Sequence, residues 1–443
     1  MNLERLLPQA SRPILLVIDS SISGYQRQLL LRGNSQSMSH SVTDPLPTTE
    51  DTACWSGVFA MSLCVFVLIA SEFMPVSLLT PIASSLQITE GMAGQGIAIS
   101  GILAVVTSLL IPVLAGKVNR KTLLLGLTGL MGISGLIIGL SDSYASYLLG
   151  RALIGVVIGG FWSMSAAIAM RLVPSEQVPK ALAIFNGGNA LAMILAAPLG
   201  AYLGSLLSWR GAFLCLLPIA VITLIWQWLS LPSMPVRERS ARIRGTFAVL
   251  GLLRTPVVLA GMLAIASLFM GQFTLFTYVR PFLESVTQVA VKPLSLILLL
   301  IGLAGLIGTS LINGALKRQF YLTLKIMPLL MAVSALGLAF FGTQLILVIV
   351  LLLLWGLIAT AAPVGWWAWV PRTIPQSAET AGGLMVAVIQ LSIALGSTLG
   401  GVLFDIGGHQ LCFGISALLL LLSTALAGVT QGYETPKSQK DRV

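Results

Sequence analysis

Two charged residues stand where charge is expensive. Glu72 lies inside the apolar run 57–80 and Arg151 inside the run 145–168, and each is the lone acid or base well within such a run. A carboxylate surrounded by hydrocarbon is costly, so residues of this kind face the interior of a helix bundle and serve a proton, an ion or a substrate. At 1.5 Å per residue, Glu72 lies ~12 Å below one end of its run and Arg151 ~9 Å below the corresponding end of its own. Matching depths predict a contact. The two groups form a charged pair when they meet, and the carboxylate takes up a proton when the pairing is lost or a ligand competes for it. A purely structural ion pair is the plainer alternative.

Four amides, Asn186, Asn189, Gln272 and Gln390, also fall within apolar runs, where each needs a partner. Bonds between helices would supply it, and so would a polar, uncharged substrate. Phe161, Trp162, Tyr278, Trp366, Trp367 and Trp369 gather at similar depths. A flat ring system stacked on some of them, its edge read by the amides, would use both sets, whereas Trp369 also suits an interfacial belt. Arg151 leads into Gly155 and Gly159, and the run 181–206 holds Gly188, Pro198, Gly200 and Gly204. Glycines four apart let helices approach closely, and Pro198 removes a helix hydrogen bond; packing or a rocking surface follows. The scattered Cys54, Cys64, Cys215 and Cys412 outline no disulfide framework, and His40 and His409 share no ligand spacing. No metal or cofactor is expected. An embedded enzyme would need paired acids, a histidine cluster or a nucleophile with its base.

The elements that position these groups follow from composition. Of 443 residues 56% are hydrophobic and 9% charged, against about 25% charged in ordinary soluble domains. So little charge cannot cover a water-facing surface of this size, and lipid must cover most of it. Apolar runs fall at 57–80, 93–114, 122–140, 145–168, 181–206, 212–231, 256–279, 295–315, 322–341, 345–369, 381–405 and 409–430, each near the ~20 residues that a spanning helix takes. With the N-terminus inside, 21 of the 25 bases fall on the cytoplasmic side, and only Arg210, Arg280 and Lys292 fall in outer loops. That asymmetry puts both termini in the cytoplasm and explains the net charge of +10 without nucleic acid.

The expected fold is all-α: twelve transmembrane helices in two pseudo-symmetric six-helix bundles, 55–231 and 256–430. They are flanked by polar tails 1–54 and 431–443 and joined by the arginine-rich cytoplasmic loop 232–255. Pro13 to Ile18 is too short for a signal-peptide core, and translation could instead begin at Met38. The halves echo each other. Arg171-Leu-Val-Pro174 corresponds to Arg372-Thr-Ile-Pro375, and Leu199-Gly200-Ala201-Tyr202-Leu203 to Leu399-Gly400-Gly401-Val402-Leu403, at offsets of 201 and 200 residues. Two like halves with a path between them suit alternating access.

From about Trp55 to Val429 the chain resembles the major facilitator superfamily in its twelve-span drug:proton antiporter branch. Gly116-Lys-Val-Asn119-Arg120-Lys121 is similar to the family's basic loop motif, with Asn119 where the family usually has Asp. Arg151-x-x-x-Gly155 resembles the span-4 motif whose arginine is implicated in proton transfer. Gly188 through Pro198 to Gly200 resembles the span-5 antiporter motif, with Ala197 replacing its usual Gly. Glu72-Phe-Met-Pro-Val, Gly159-Gly-Phe-Trp-Ser-Met-Ser-Ala166, Thr277-Tyr-Val-Arg-Pro281, Pro363-Val-Gly-Trp366 and Val386-Ala-Val-Ile-Gln-Leu391 look like the purine ribonucleoside efflux pumps. The resemblance implies a monomeric exporter of inosine- or guanosine-like nucleosides in exchange for protons across a bacterial inner membrane. Sugar or chloramphenicol export by the same fold, and a non-transporting sensor, are the alternatives.

Overall fold

The computed structural model describes residues 53–114, 118–235, 251–374 and 378–440. The expectations for the N-terminal tail, Met38, His40, Lys117, Pro375, the arginines of 237–244 and Arg442 lie outside them. Among the described residues the secondary structure is helical, apart from turns and one short 3-10 turn at Ser175–Gln177. In the first half the helices are α1 (Trp55–Leu86), α2 (Glu90–Leu114), α3 (Arg120–Gly139), α4 (Tyr144–Leu172), α5 (Val178–Leu214) and α6 (Leu216–Ser230). In the second they are α7 (Pro256–Phe276), α8 (Val279–Ser285), α9 (Val291–Arg318), α10 (Phe320–Phe341), α11 (Leu345–Ala359), α12 (Ala361–Thr373) and α13 (Ala378–Lys440).

Sequence-local features set the boundaries. Gln87 ends α1 in the left-handed region at φ 53°. Asn119 caps α3 by accepting from the Lys121 amide, and Ser143 and Ser146 cap α4 reciprocally. Ten described stretches are long and apolar enough to cross a membrane. Two of them, Lys180–Ser230 and Ala381–Glu434, run to 51 and 54 residues, more than twice what a hydrocarbon core of about 30 Å requires. Each is broken by a positive φ, 69° at Ser208 and 64° at Gly408, so each doubles back. Each of these two is long enough for two passes. Two expected spans are themselves broken, the seventh between α7 and α8 and the tenth at Thr360 between α11 and α12. The expected tail at 431 begins instead as further helix, with Glu434 held by the Thr373 hydroxyl.

Packing repeats between the halves. In the first, α1 lies on α5, α2 on α4 and α3 on α6; in the second, α7 lies on α13, α9 on α11 and α10 on α13. Across the halves, α2 meets α13 and α5 meets α9. Glycine makes these approaches possible. A Cβ on Gly155 or Gly159 would strike the Ser100 or Ala104 carbonyl of α2, and one on Gly188 the Ser62 carbonyl of α1. Gly200 and Gly400, paired by the sequence echo, play one part: the first abuts Ser77 of α1, the second Thr274 of α7. The outward side is apolar, with Ile346 81% and Phe340 75% exposed.

Gly155→Ala should therefore lower thermal stability in detergent by several degrees, since over-packing a tight contact costs about 1–3 kcal/mol. Gly126→Ala, where an added Cβ meets nothing within 4 Å, should leave the melting temperature unchanged or raised. Scanning fluorimetry of the purified variants checks both.

Candidate functional site

Helix α1 contains Pro75 and Pro81. Proline has no N–H, so the carbonyl four residues earlier loses its helical donor. The carbonyls concerned belong to Ser71 and Ser77, and a buried arginine takes each. Arg151 of α4, fully buried, donates from Nη1 to Ser71 O at 2.7 Å and from Nη2 to the Glu72 carbonyl at 3.1 Å. The same guanidinium reaches Ser100 Oγ at 3.1 Å and Gly96 O at 2.9 Å on α2.

This corrects the expected ion pair. Arg151 meets the backbone of Glu72, and the Glu72 carboxylate accepts instead from Gln390 Nε2 of α13 at 3.3 Å. The proline-freed carbonyl faces α4, whereas the side chain at 72 leaves the helix toward α13. Depth along two helices was right and direction around them was not.

Arg280 is the second correction. The sequence assigns it to an outer loop, but α8 continues the seventh span past its apparent end and leaves Arg280 only 5% exposed. Nε and Nη2 both lie 2.8 Å from Glu284 Oε1, while Nη1 donates to the Ser77 carbonyl of α1. The signal for both arginines was present in the chain: a proline inside an apolar helix marks an open carbonyl four residues before it.

The remaining expected site residues divide. Gln272 is 6% exposed with its Oε1 unpartnered, and Trp366 is buried with Nε1 unpartnered. Phe73 stacks on Phe273 of α7 with centroids 5.7 Å apart, so residues adjacent in sequence to Glu72 and Gln272 form an aromatic contact between the halves. Phe161 is buried edge-on against the half-buried Trp162 at 5.9 Å. Asn186 is exposed and folds back onto the Leu182 carbonyl of its own helix at 3.0 Å; no hydrogen bond among the described residues brings it or Asn189 to the Glu72–Gln390 pair. Tyr278, expected at the substrate, is fully buried, donates to Ser397 O at 2.8 Å and stacks on Phe404, so it acts as a strut. Trp369 is no belt residue, because it is buried, donates to Tyr321 Oη at 3.2 Å and packs on Gly261; Trp367, 46% exposed, fits that description better.

Of the conformational motif, Asn119 Oδ1 accepts from the amides of Lys121 and Met234, and its Nδ2 donates to Ser233 Oγ at 2.7 Å. Arg120 donates its backbone N–H to the Met234 carbonyl and places Nη1 3.9 Å from Met164 Sδ. The segment after α6 is thus fastened to the α2–α3 connection.

Four hydrogen bonds join the halves among the described residues. Besides Glu72–Gln390 and Arg280–Ser77, the Asp405 carboxylate of α13 accepts from Thr89 Oγ1 at 2.7 Å and the Gly91 amide at 3.1 Å at the start of α2. Glu72–Gln390 is the deepest of them, and the others lie toward the end carrying Asp405. On α5 the Ile194 backbone abuts Gly302 of α9, yet Gly187, two turns toward the other end, has nothing near an added Cβ. The halves are therefore tied at the Asp405 end, while the Gly187 position is open.

Two helix groups tied at one end around a buried carboxylate suit a membrane transporter. Residues 61–396 match the Major Facilitator Superfamily, and the chain belongs to that family. It is 41% identical to the purine ribonucleoside efflux pump NepI of Escherichia coli K12 over 372 residues, covering 84% of this chain and 93% of that one. It is 60% identical over 387 residues to a Pseudomonas aeruginosa protein named transcription regulatory protein OpdE, covering 87% and 96%. Among solved structures, a bacterial homologue of the lysosomal transporter Spinster, inward-facing and unoccupied, superposes with TM-score 0.71 at 15% identity, covering 85% of this chain and 96% of that one. The nucleoside transporter NupG gives 0.67 at 15%, covering 85% and 98%.

Arg151→Lys should lower thermal stability, because one ammonium cannot serve the four acceptors and each buried acceptor left unmade costs about 1–3 kcal/mol. Restoring an N–H with Pro75→Ala in the same chain should recover part of the loss by satisfying Ser71 O. Equal melting temperatures for the single and double variants would refute that pairing.

Proposed function

We propose that the protein is a proton-coupled exporter of purine ribonucleosides such as inosine and guanosine, acting as a monomer in a bacterial inner membrane. Both termini face the cytoplasm, so the Asp405 end is the outer one and the state described here opens inward. The halves 55–231 and 256–430 rock about the site between them. Nucleoside enters from the cytoplasm, its ring meeting aromatic side chains such as Trp162 and Trp366 while Gln272, Asn186 and Asn189 supply polar edges. Glu72 carries the proton. Arg151 does not carry it but holds α1 and fixes a positive charge behind the carboxyl group.

The observation that carries this reading is the hydrogen bond from Gln390 to Glu72. The carboxyl, 4% exposed, is bonded across the interface that must open, so its protonation state and the separation of the halves act on one contact. Opening outward breaks that bond and exposes Glu72 to external protons; closing returns it to Gln390. The nucleoside assignment draws on the efflux pumps 41% identical to this chain.

Inside-out vesicles test both parts. Inosine and guanosine should accumulate on imposing a pH gradient while arabinose and chloramphenicol should not, and Glu72→Gln should abolish gradient-driven accumulation while preserving counterflow. Normal gradient-driven accumulation by Glu72→Gln would remove Glu72 from the coupling; accumulation of the sugar or the drug instead would reassign the substrate.

The name of the Pseudomonas relative favours a second reading, in which the protein senses a solute without moving it. Counterflow of labelled inosine in proteoliposomes separates the two, since a sensor gives none.

A further inference from the structure

We infer that Arg280 is a positioning residue that fastens the Asp405 end by occupying the carbonyl Pro81 leaves open, and that it releases this end by turning to Glu284. The fastening crosses between the halves: the arginine belongs to α8, and the Ser77 carbonyl belongs to α1. An ordinary residue at 81 would direct its own N–H to that carbonyl, so Pro81 creates the receptor.

The release is prepared on the arginine's own helix. Nε and Nη2 already share Glu284 Oε1 at 2.8 Å, and the second oxygen, Oε2, is buried without a hydrogen-bond partner. A guanidinium fork matches both oxygens of a carboxylate. When the halves part, Nη1 gives up Ser77 O and finds Oε2 one helical turn away. The charge is paired in both states, and the carbonyl left behind lies in the cleft that opening admits water to. This is an exchange of one acceptor for another, which is what a reversible closure needs and what a permanent cross-link lacks. The Asp405 contacts to Thr89 and Gly91 add a second tie at the same end.

The inference concerns the equilibrium between closed and open outer ends and goes beyond the transport reading, since it requires neither a substrate nor a proton gradient. Its test is correspondingly ligand-free. Spin labels at Leu140→Cys and Thr343→Cys, both exposed positions at the Asp405 end in opposite halves, report the separation by dipolar EPR in proteoliposomes of a chain with its native cysteines replaced. Hydrogen bonds to charged groups are worth enough that Arg280→Lys and Pro81→Ala should each raise the long-distance population on the order of tenfold. Because both remove one contact, the double variant should show no more than either alone. Glu284→Gln, which weakens the alternative acceptor, should shift the population toward the short distance, and Pro75→Ala should leave it unchanged. An unchanged distribution in Pro81→Ala, or additive effects in the double variant, overturns the proposal. Should Arg280→Lys fail to fold, Pro81→Ala decides alone, because it leaves every side chain of the contact in place.

Discussion

A backbone carbonyl without a donor has no water to turn to inside a bilayer, and each such group costs several kcal/mol. Helix α1 carries two, made by Pro75 and Pro81, and a buried guanidinium has the converse need for acceptors in hydrocarbon. The two demands cancel where they meet. Arg151 without Pro75 would lose its best-placed acceptor, and Pro75 without Arg151 would leave Ser71 O orphaned; the same holds for Arg280, Pro81 and Ser77. Much else in the structure depends on this reciprocity, because the shared partner is a single helix.

The consequence lies in which halves the arginines come from. Arg151 fastens α1 to its own half, through α4 and α2, with acceptors on three helical turns. Arg280 fastens the same helix to the opposite half. Glu72 falls between these two anchor points, held on its backbone side by Arg151 and on its side-chain side by Gln390 of the opposite half. A helix held firmly by one half and reversibly by the other is the natural seat for a group whose chemistry must follow the motion between them.

Much of this is legible in the sequence. The apolar runs gave the spans, and the glycine spacing gave the close approaches: Gly155, Gly159, Gly188 and Gly200 each press on the backbone or a hydroxyl of a neighbouring helix. The repeat at an offset of 200 residues appears as matched packing of Gly200 and Gly400. What stayed hidden was direction. Hydropathy reports that Glu72 and Arg151 share a depth, but which azimuth each occupies is decided by neighbours distant in sequence, so the side chain and the carbonyl of residue 72 went to different partners. Apolar content alone also cannot separate a substrate-facing aromatic, as expected of Tyr278, or an interfacial one, as expected of Trp369, from a packing strut, which is what both are. The end of a span is equally opaque where a short helix such as α8 carries charge inward under cover of a local partner, as Arg280 does with Glu284.

Asn119 shows how a departure from a family pattern acquires a physical reason. An aspartate there could accept from the Lys121 amide and cap α3 at least as well, since a charged acceptor is favoured at a helix start. It could also accept from the Met234 amide. It could not donate, so the Ser233 hydroxyl, which receives a hydrogen bond from Nδ2 at 2.7 Å, would have to turn and donate to the carboxylate instead. The amide satisfies a cap and a connector together because it bears a donor and an acceptor on one rigid plane. With Arg171 donating to the Pro235 carbonyl at 2.8 Å, the segment leaving the first half is held at two points before it departs toward the second. Both fixing points, the α2–α3 turn and the end of α4, adjoin the helix whose Arg151 grips α1 beside Glu72.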